Sequence, residues 1–402
     1  MLLLCSLPYQ VVLADELELP AQSAIAVEAD TGKILYEKDS EKKRDVGGLS
    51  TLLTTYLIFE AIHEKKLSLK DPIKLSEKAL ALNDIEGAGT LPMEANQYTV
   101  EQLLTALLVG NSSTAALALA EKVGGSEKSF VEKMKQKLSE WGIQSPHLIN
   151  ATGLNTQTIS GDPDGKGDEN QLSAYDIAVI AKHLLQDFPE VTKYTSKPTA
   201  LFSNTQIENP NLMLEGMPNY RSGVDGLRVS NSTKGGITFA ASTTQNGIHM
   251  ITVVLGVEAV DGDPYARFVA TSSLMNYVVR TFVSSIVVKE GDPYGKSKAT
   301  VMDGKSETVL AVAKKDFYIV EKQGSQAEPK IQFKSDQESF RAPVKSGTNL
   351  GKLHYTDPDK IGRGYLEDQE PTVDMVAGRT IEKSFFLKVW WNEFVRYVNE
   401  KL

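Results

Sequence analysis

Residues 44 to 62, "RDVGGLSTLLTTYLIFEAI", read as an apolar helix reached through a small-residue turn. Leu52, Leu53, Tyr56, Leu57 and Phe59 to Ile62 supply the helical run after two glycines. Serine hydrolases place their nucleophile at such a helix start, and the serine here is Ser50. A serine hydroxyl is a weak nucleophile until a nearby base takes its proton, so the other serines matter for the basic groups around them. Ser40-Glu41-Lys42-Lys43 sets a serine three residues before a lysine, but in a hydrophilic connection with no apolar helix behind it, and reads as a solvated loop. Ser112 and Ser113 follow Asn111 in "LLVGNSSTAALALAEK" and have no obvious base. Lys345-Ser346-Gly347 lies in "APVKSGTNLG", far along the chain, and reads as a turn. The five histidines, His63, His147, His183, His249 and His354, are scattered without metal-ligand spacing, and nothing joins them into a Ser-His-Asp device. "DPDGKGDEN", residues 162 to 170, has the acidic, glycine-containing look of a calcium loop but lacks the EF-hand spacing and its closing Glu. No metal and no cofactor is expected.

The elements that must position these residues follow from periodicity. Residues 22 to 38 alternate apolar and polar on both sides of Asp30-Thr31-Gly32, which predicts a β-hairpin. From Ser50 to about Gln186 the pattern is helical, with Ser126 and Ser173 at N-cap positions. Residues 220 to 256 return to strands, turning at Asn246-Gly247, and "DPYARFVATSSLMNYVVRTF" is a further helix. Strands at both ends with helices between predict one α+β domain, residues 22–285, whose sheet is closed by distant parts of the chain. Residues 286–378 shift to short strands with frequent Gly, Pro and Lys and predict a small all-β domain.

The final stretch, 379–402, predicts an amphipathic helix. Phe386, Leu387, Trp390, Trp391, Phe394, Val395, Tyr397, Val398 and Leu402 cover about half of the wheel, with charged and amide side chains on the rest. It is too charged to span a bilayer and suited to lie in the membrane surface, with packing on its own domain as the alternative. Residues 1–21 read as a degenerate or truncated secretory signal: an apolar run leads to Val12-Leu13-Ala14 before Asp15, but no Lys or Arg precedes Lys33.

The chain has 402 residues, 41% of them hydrophobic and 24% charged, enough to bury sizeable cores in two domains. A net charge of -9 argues against nucleic acid as a partner, since phosphate binding needs a clustered basic surface. The single cysteine, Cys5, falls in the signal-like stretch, so disulfides and thiol catalysis are excluded from the processed chain.

Over nearly its whole length the chain resembles the low-molecular-mass penicillin-binding proteins, the serine-type D-alanyl-D-alanine carboxypeptidases. The resemblance rests on "AIAVEADTGKILYEKDSEKKRDV", "TVEQLLTALLV", "STAALALAEKVGGSEKSFVEKM", "INATGLN", "LSAYDIAVIAKHLL", "GVDGLR" and "ITVVLGV". It implies a penicillin-binding/β-lactamase-like domain, an antiparallel sheet flanked by helices with a helical lobe, then the small β domain and a C-terminal surface anchor. It also implies acyl transfer through three motifs, S-x-x-K, S-x-N and K-T-G.

Each motif is degenerate here. Between Val46 and Leu52 the family reads A-S-x-x-K, so Gly48 stands in the nucleophile's place and Thr51 in the lysine's. Asn111-Ser112-Ser113 stands for S-x-N with Asn and Ser exchanged end for end. Arg228-Val229-Ser230 replaces K-T-G, keeping the positive charge and losing the hydroxyl and the glycine. Ser50, two positions off, is turned about 200° away on a helix. The resemblance therefore implies a catalytically inactive homologue, extracytoplasmic and peripheral on the outer face of the membrane, that binds peptidoglycan stem peptide or a wall-synthesis protein. Arg228 is the candidate for a carboxylate, and Ser230 narrows the groove beside it. The alternatives are an active carboxypeptidase with Ser50, Ser112 or Ser113 as nucleophile, and a structural interaction protein with a vestigial cleft.

Overall fold

The computed structural model describes residues 17–85, 91, 93–160 and 167–401; most of the signal-like segment, with Cys5, and residues 162–166 of the acidic loop lie outside the described residues. The alternating stretch at the start pairs as predicted. β1 (Ala21–Glu28) runs antiparallel to β2 (Ile34–Lys38) across a turn in which Gly32 takes a left-handed φ of 76°.

Next come the helices. α1 (Thr51–His63) follows a 3-10 turn at Gly47–Ser50 and is buried on almost every side, which is why its sequence has no polar stripe. α2 (Val100–Leu108) starts from a capping box of Thr99 and Gln102. α3 (Ser113–Gly124), α4 (Glu127–Glu140) and α5 (Ala174–Asp187) begin at Ser112, Ser126 and Ser173, each of which accepts a hydrogen bond from the backbone N–H three residues on.

β3 (Val224–Ser232), β4 (Gly236–Gln245) and β5 (Ile248–Val257) complete a five-stranded sheet of order β2-β1-β5-β4-β3. Ala21 pairs with Val257, so distant parts of the chain close the sheet. One face, with Ile25, Val27, Val253 and Leu255, packs on the helical lobe. The alternate residues Ala24, Ala26 and Val254 pack with Phe268, Leu274 and Met275 of α6 (Ala266–Thr281), as a period of two requires. β3 is left at the sheet edge beside the starts of α1 and α3.

The chain then enters its all-β part. β6 (Phe282–Val288), which runs across the expected boundary at 285, pairs with β9 (Phe317–Lys322); between them lie β7 (Pro293–Met302) and β8 (Thr308–Ala313). With β10 (Lys330–Ser335), β11 (Asn349–Thr356) and β12 (Thr372–Ala377), they build a second sheet of order β10-β11-β12-β8-β7, ending on the short strand Phe340–Arg341. Val301, Ala311, Leu353 and Met375 give it a core of its own.

The two parts meet along a polar seam. Lys33 Nζ donates to Asp357 Oδ2 at 2.7 Å and to the Val320 carbonyl at 2.7 Å, with both charged side chains 1% exposed. Beside it the N–H groups of Ile34 and Leu366 bond to the carbonyls of Gly364 and Gly32. Glu367 accepts from Lys182 and His183 of α5 at 2.9 and 3.0 Å.

α7 (Phe386–Lys401) ends the described chain. Phe386, Leu387, Trp390, Trp391, Phe394 and Tyr397 are all exposed and Val398 is half-buried, while Val389, outside the predicted apolar set, is the residue that is buried. The aromatic face is thus not packed on the chain's own domains. Among the described residues no helix is long and apolar enough to cross a membrane.

Candidate functional site

The edge strand β3 forms one wall of a cleft of about 750 Å³, and the turn before α1, the start of α3 and the loop around Gly153 form the others. All seven degenerate motif positions fall at this place except Thr51, which lies one layer beneath it. The structure brings the other six to one cleft, and the chemistry there is set by what fills it.

Gly48 is where the difference is sharpest. Its N–H donates to Ser230 Oγ at 2.7 Å. A Cβ built on Gly48 would lie 2.9 Å from that oxygen and 3.8 Å from an Arg228 terminal nitrogen. The hydroxyl that Ser230 adds to β3 therefore occupies the space a side chain at position 48 would need. Gly47 is held just as tightly: its φ is 52°, and a Cβ there would come within 2.4 Å of the Asn231 carbonyl oxygen. The backbone of this turn has closed onto the strand opposite, which only glycine permits.

The hydroxyls of Thr51, Ser50 and Ser112 are engaged. Thr51 Oγ1 donates to the Gly48 carbonyl at 2.6 Å, and Ser50 Oγ donates to the Gly47 carbonyl at 2.9 Å while accepting from Asn170 at 2.8 Å. Ser50 is fully buried. Ser112 Oγ caps α3 by accepting the Ala115 N–H at 3.2 Å. Ser113 lines the cleft, with no basic side chain bonded to it. Asn111, at a φ of 57°, turns its amide to donate to the Val229 carbonyl at 3.2 Å, joining the second motif position to the third.

Arg228 does not stand free in the groove. Its Nη1 donates at 2.6 Å to the Leu107 carbonyl, at the negative end of α2, and the side chain is 5% exposed. Burial without a neighbouring carboxylate pushes the guanidinium down to about 9, still charged at neutral pH, and its Nε has no hydrogen-bond partner. Arg267 of α6, a residue the sequence gave no reason to single out, joins it. Its Nη1 donates to the Ser230 carbonyl at 2.8 Å and the Thr238 carbonyl at 3.1 Å, its Nη2 bonds to Asn231, and burial pushes it down to about 10. The two arginines flank the same short segment of β3.

The remaining candidates lie elsewhere. Ser40 proves to be buried, not solvated: its Oγ donates to Glu37 and its carbonyl accepts the Tyr175 N–H, while Lys43 pairs with Asp176. Ser346 and Gly347 form a turn of the β part, as predicted. His63, His147 and His183 bond to Glu190, Asp168 and Glu367, and His354 sits between lysines on β11. The fold does align Ser242, His249 and Asp30, with His249 Nε2 3.1 Å from Ser242 Oγ and Nδ1 3.9 Å from Asp30. Ser242 is fully buried in the sheet, so no substrate reaches it. Among the described residues no cluster of three metal-ligating side chains occurs.

The chain matches the D-alanyl-D-alanine carboxypeptidase family over residues 10–259 and the penicillin-binding protein 5 C-terminal domain over residues 282–383. It is 27% identical to the D-alanyl-D-alanine carboxypeptidase DacF of Bacillus subtilis over 343 residues, 84% of this chain and 82% of that one. Its fold matches the crystal structure of a peptidoglycan synthesis regulatory factor, PBP3, from Streptococcus pneumoniae, with a TM-score of 0.87 at 45% identity over 91% of this chain and 100% of the other. It also matches penicillin binding protein 5 from Haemophilus influenzae, with a TM-score of 0.71 at 23% identity over 92% of this chain and 100% of the other. The chain belongs to the D-alanyl-D-alanine carboxypeptidase family, peptidase S11, of the low-molecular-mass penicillin-binding proteins.

Proposed function

We propose that this chain is a catalytically inactive member of its family that acts at the cell wall by binding, not by acyl transfer. The observation that carries the reading is the Gly48–Ser230 contact. Where the family's motif calls for a nucleophile, this chain has a bare backbone N–H bonded to a hydroxyl from the opposite strand, and no lysine beneath it. Removing the nucleophile or its base from a serine hydrolase costs on the order of 10⁶ in turnover. Neither is replaced by Ser50, Ser112 or Ser113, since the first is buried, the second caps a helix and the third has no base.

The cleft keeps the means to hold a ligand. Arg228 offers an unpartnered Nε to an anion such as the terminal carboxylate of a peptidoglycan stem peptide, and β3 offers an edge along which an extended peptide pairs. The α7 helix, with its exposed Trp390 and Trp391, is suited to hold the chain at the outer membrane surface. The Streptococcus pneumoniae protein, a peptidoglycan synthesis regulatory factor, makes a regulatory role in wall synthesis the natural setting.

The test is intact-protein mass after exposure to a penicillin, on the natural chain and on a variant carrying Gly48→Ser, Thr51→Lys, Asn111→Ser, Ser113→Asn, Arg228→Lys, Val229→Thr and Ser230→Gly. The reading expects no adduct on the natural chain and one on the restored variant. An adduct on the natural chain overturns it, and mapping the modified residue then names the nucleophile.

A further inference from the structure

Two charged groups in the cleft wall each keep one polar atom without a partner: Arg228 on β3, and a carboxylate on the loop that meets the chain just past the end of β3. One is Arg228, already described. The other is Glu169, which is 1% exposed and lines the cleft. Its Oε1 accepts from Asn155 Nδ2 at 2.9 Å and from the Thr233 N–H at 2.8 Å, while its Oε2 has no hydrogen-bond partner. Leaving a buried acceptor without a donor is costly, more so for a charged one. Among the described residues no lysine relieves it: Lys234, next to Thr233, bonds to the Gly167 carbonyl instead.

We propose that Glu169 receives a primary ammonium group of the ligand whose carboxylate Arg228 receives, so that the cleft recognises a peptide carrying both charges; this rests on the binding reading given above. A cation suits the site better than a further neutral donor, because the two donors on Oε1 are both uncharged amides and leave the carboxylate's charge uncompensated. The span fits as well. Arg228 and the Thr233 N–H are five residues apart on a nearly extended chain, roughly 16 Å at about 3.3 Å per residue, before side-chain reach shortens the gap. In a tripeptide lying along β3, a lysine two residues before the terminal carboxylate places its ammonium on the order of 13 Å from that carboxylate.

The experiment is isothermal titration of the full chain with Nα-acetyl-Lys-D-Ala-D-Ala and with its Nα,Nε-diacetyl form, which differ only in the ammonium. Tighter binding of the free amine by about tenfold or more is expected, as for loss of one desolvated charge pair. Glu169→Gln should bring the two affinities together. Equal affinities on the natural chain overturn the ammonium assignment and leave the cleft reading standing, and a preference that survives Glu169→Gln overturns it too. No binding of either peptide overturns the cleft reading itself, and the assignment falls with it. The comparison on the natural chain decides the matter even if the variant fails to fold.

Discussion

Two buried cations, Lys33 and Arg228, show the difference between a charge used to hold the fold and a charge held for something else. Lys33 meets Asp357 at 2.7 Å and a carbonyl at 2.7 Å, and Asp357 is also bonded by Tyr365 and the Asp359 N–H. Arg228 meets one carbonyl, no carboxylate, and keeps an unpartnered Nε. Burying a charge is costly in both places, but at the seam an opposite charge offsets it, whereas in the cleft only the Leu107 carbonyl at the end of α2 does, with no carboxylate bonded among the described residues. Incomplete pairing is thus what sets the cleft apart from the seam, and it is the ground of the binding proposal.

The comparison breaks most visibly at the seam. Lys33→Met should cost about 3–5 kcal/mol, because Asp357 is left buried without its cation. Chemical denaturation measures this, and a loss below about 1 kcal/mol would remove the contrast between the two sites.

Acid sharpens the same seam. Burial by itself raises the Glu367 carboxyl, but hydrogen bonds from His183 and Lys182 outweigh it and hold the group down at about 2, against an ordinary 4.5. A depressed carboxyl stabilises the fold above its unfolded value and loses that contribution as pH falls from about 4.5 to about 2. Stability measured against pH should drop through this window, and Glu367→Gln should flatten part of the drop.

In the cleft, Gly48→Ser alone should destabilise by about 1–2 kcal/mol, since its Cβ meets Ser230 Oγ and the N–H loses its partner's geometry. Ser230→Gly in the same chain should recover much of it. A double-mutant cycle that shows no coupling between the two positions would deny that one hydroxyl has replaced the other.

The smallest effect is expected at Arg228. Arg228→Met exchanges a charge that has no carboxylate partner for an apolar chain, so stability should change by less than about 1 kcal/mol, while peptide binding is abolished. A loss as large as that of Lys33→Met would place Arg228 among the structural charges.

How much of this was legible beforehand depends on the range of the interaction. The hairpin at 22–38, the caps at Ser126 and Ser173 and the turn at Asn246-Gly247, both left-handed, were readable because alternation, capping and turn chemistry are local. The motif positions that line the cleft could be named from their flanking residues, and the all-β part was readable as a change in composition. Ser40 was misjudged, since a hydrophilic stretch gives no sign that α5 will pack over it. Arg267 gave no signal, because its bonds to β3 cross 37 residues of chain.

By itself, then, the sequence determined the family, the two-part architecture and which residues, Gly48 and Thr51, stand where the S-x-x-K motif is expected. Only the tertiary structure decided how the cleft around them is arranged: Ser230 against Gly48, Arg228 turned to the end of α2, Glu169 enclosed with one oxygen free. These contacts join residues more than a hundred positions apart or on separate loops, and their geometry depends on closing the whole sheet, which no local pattern encodes.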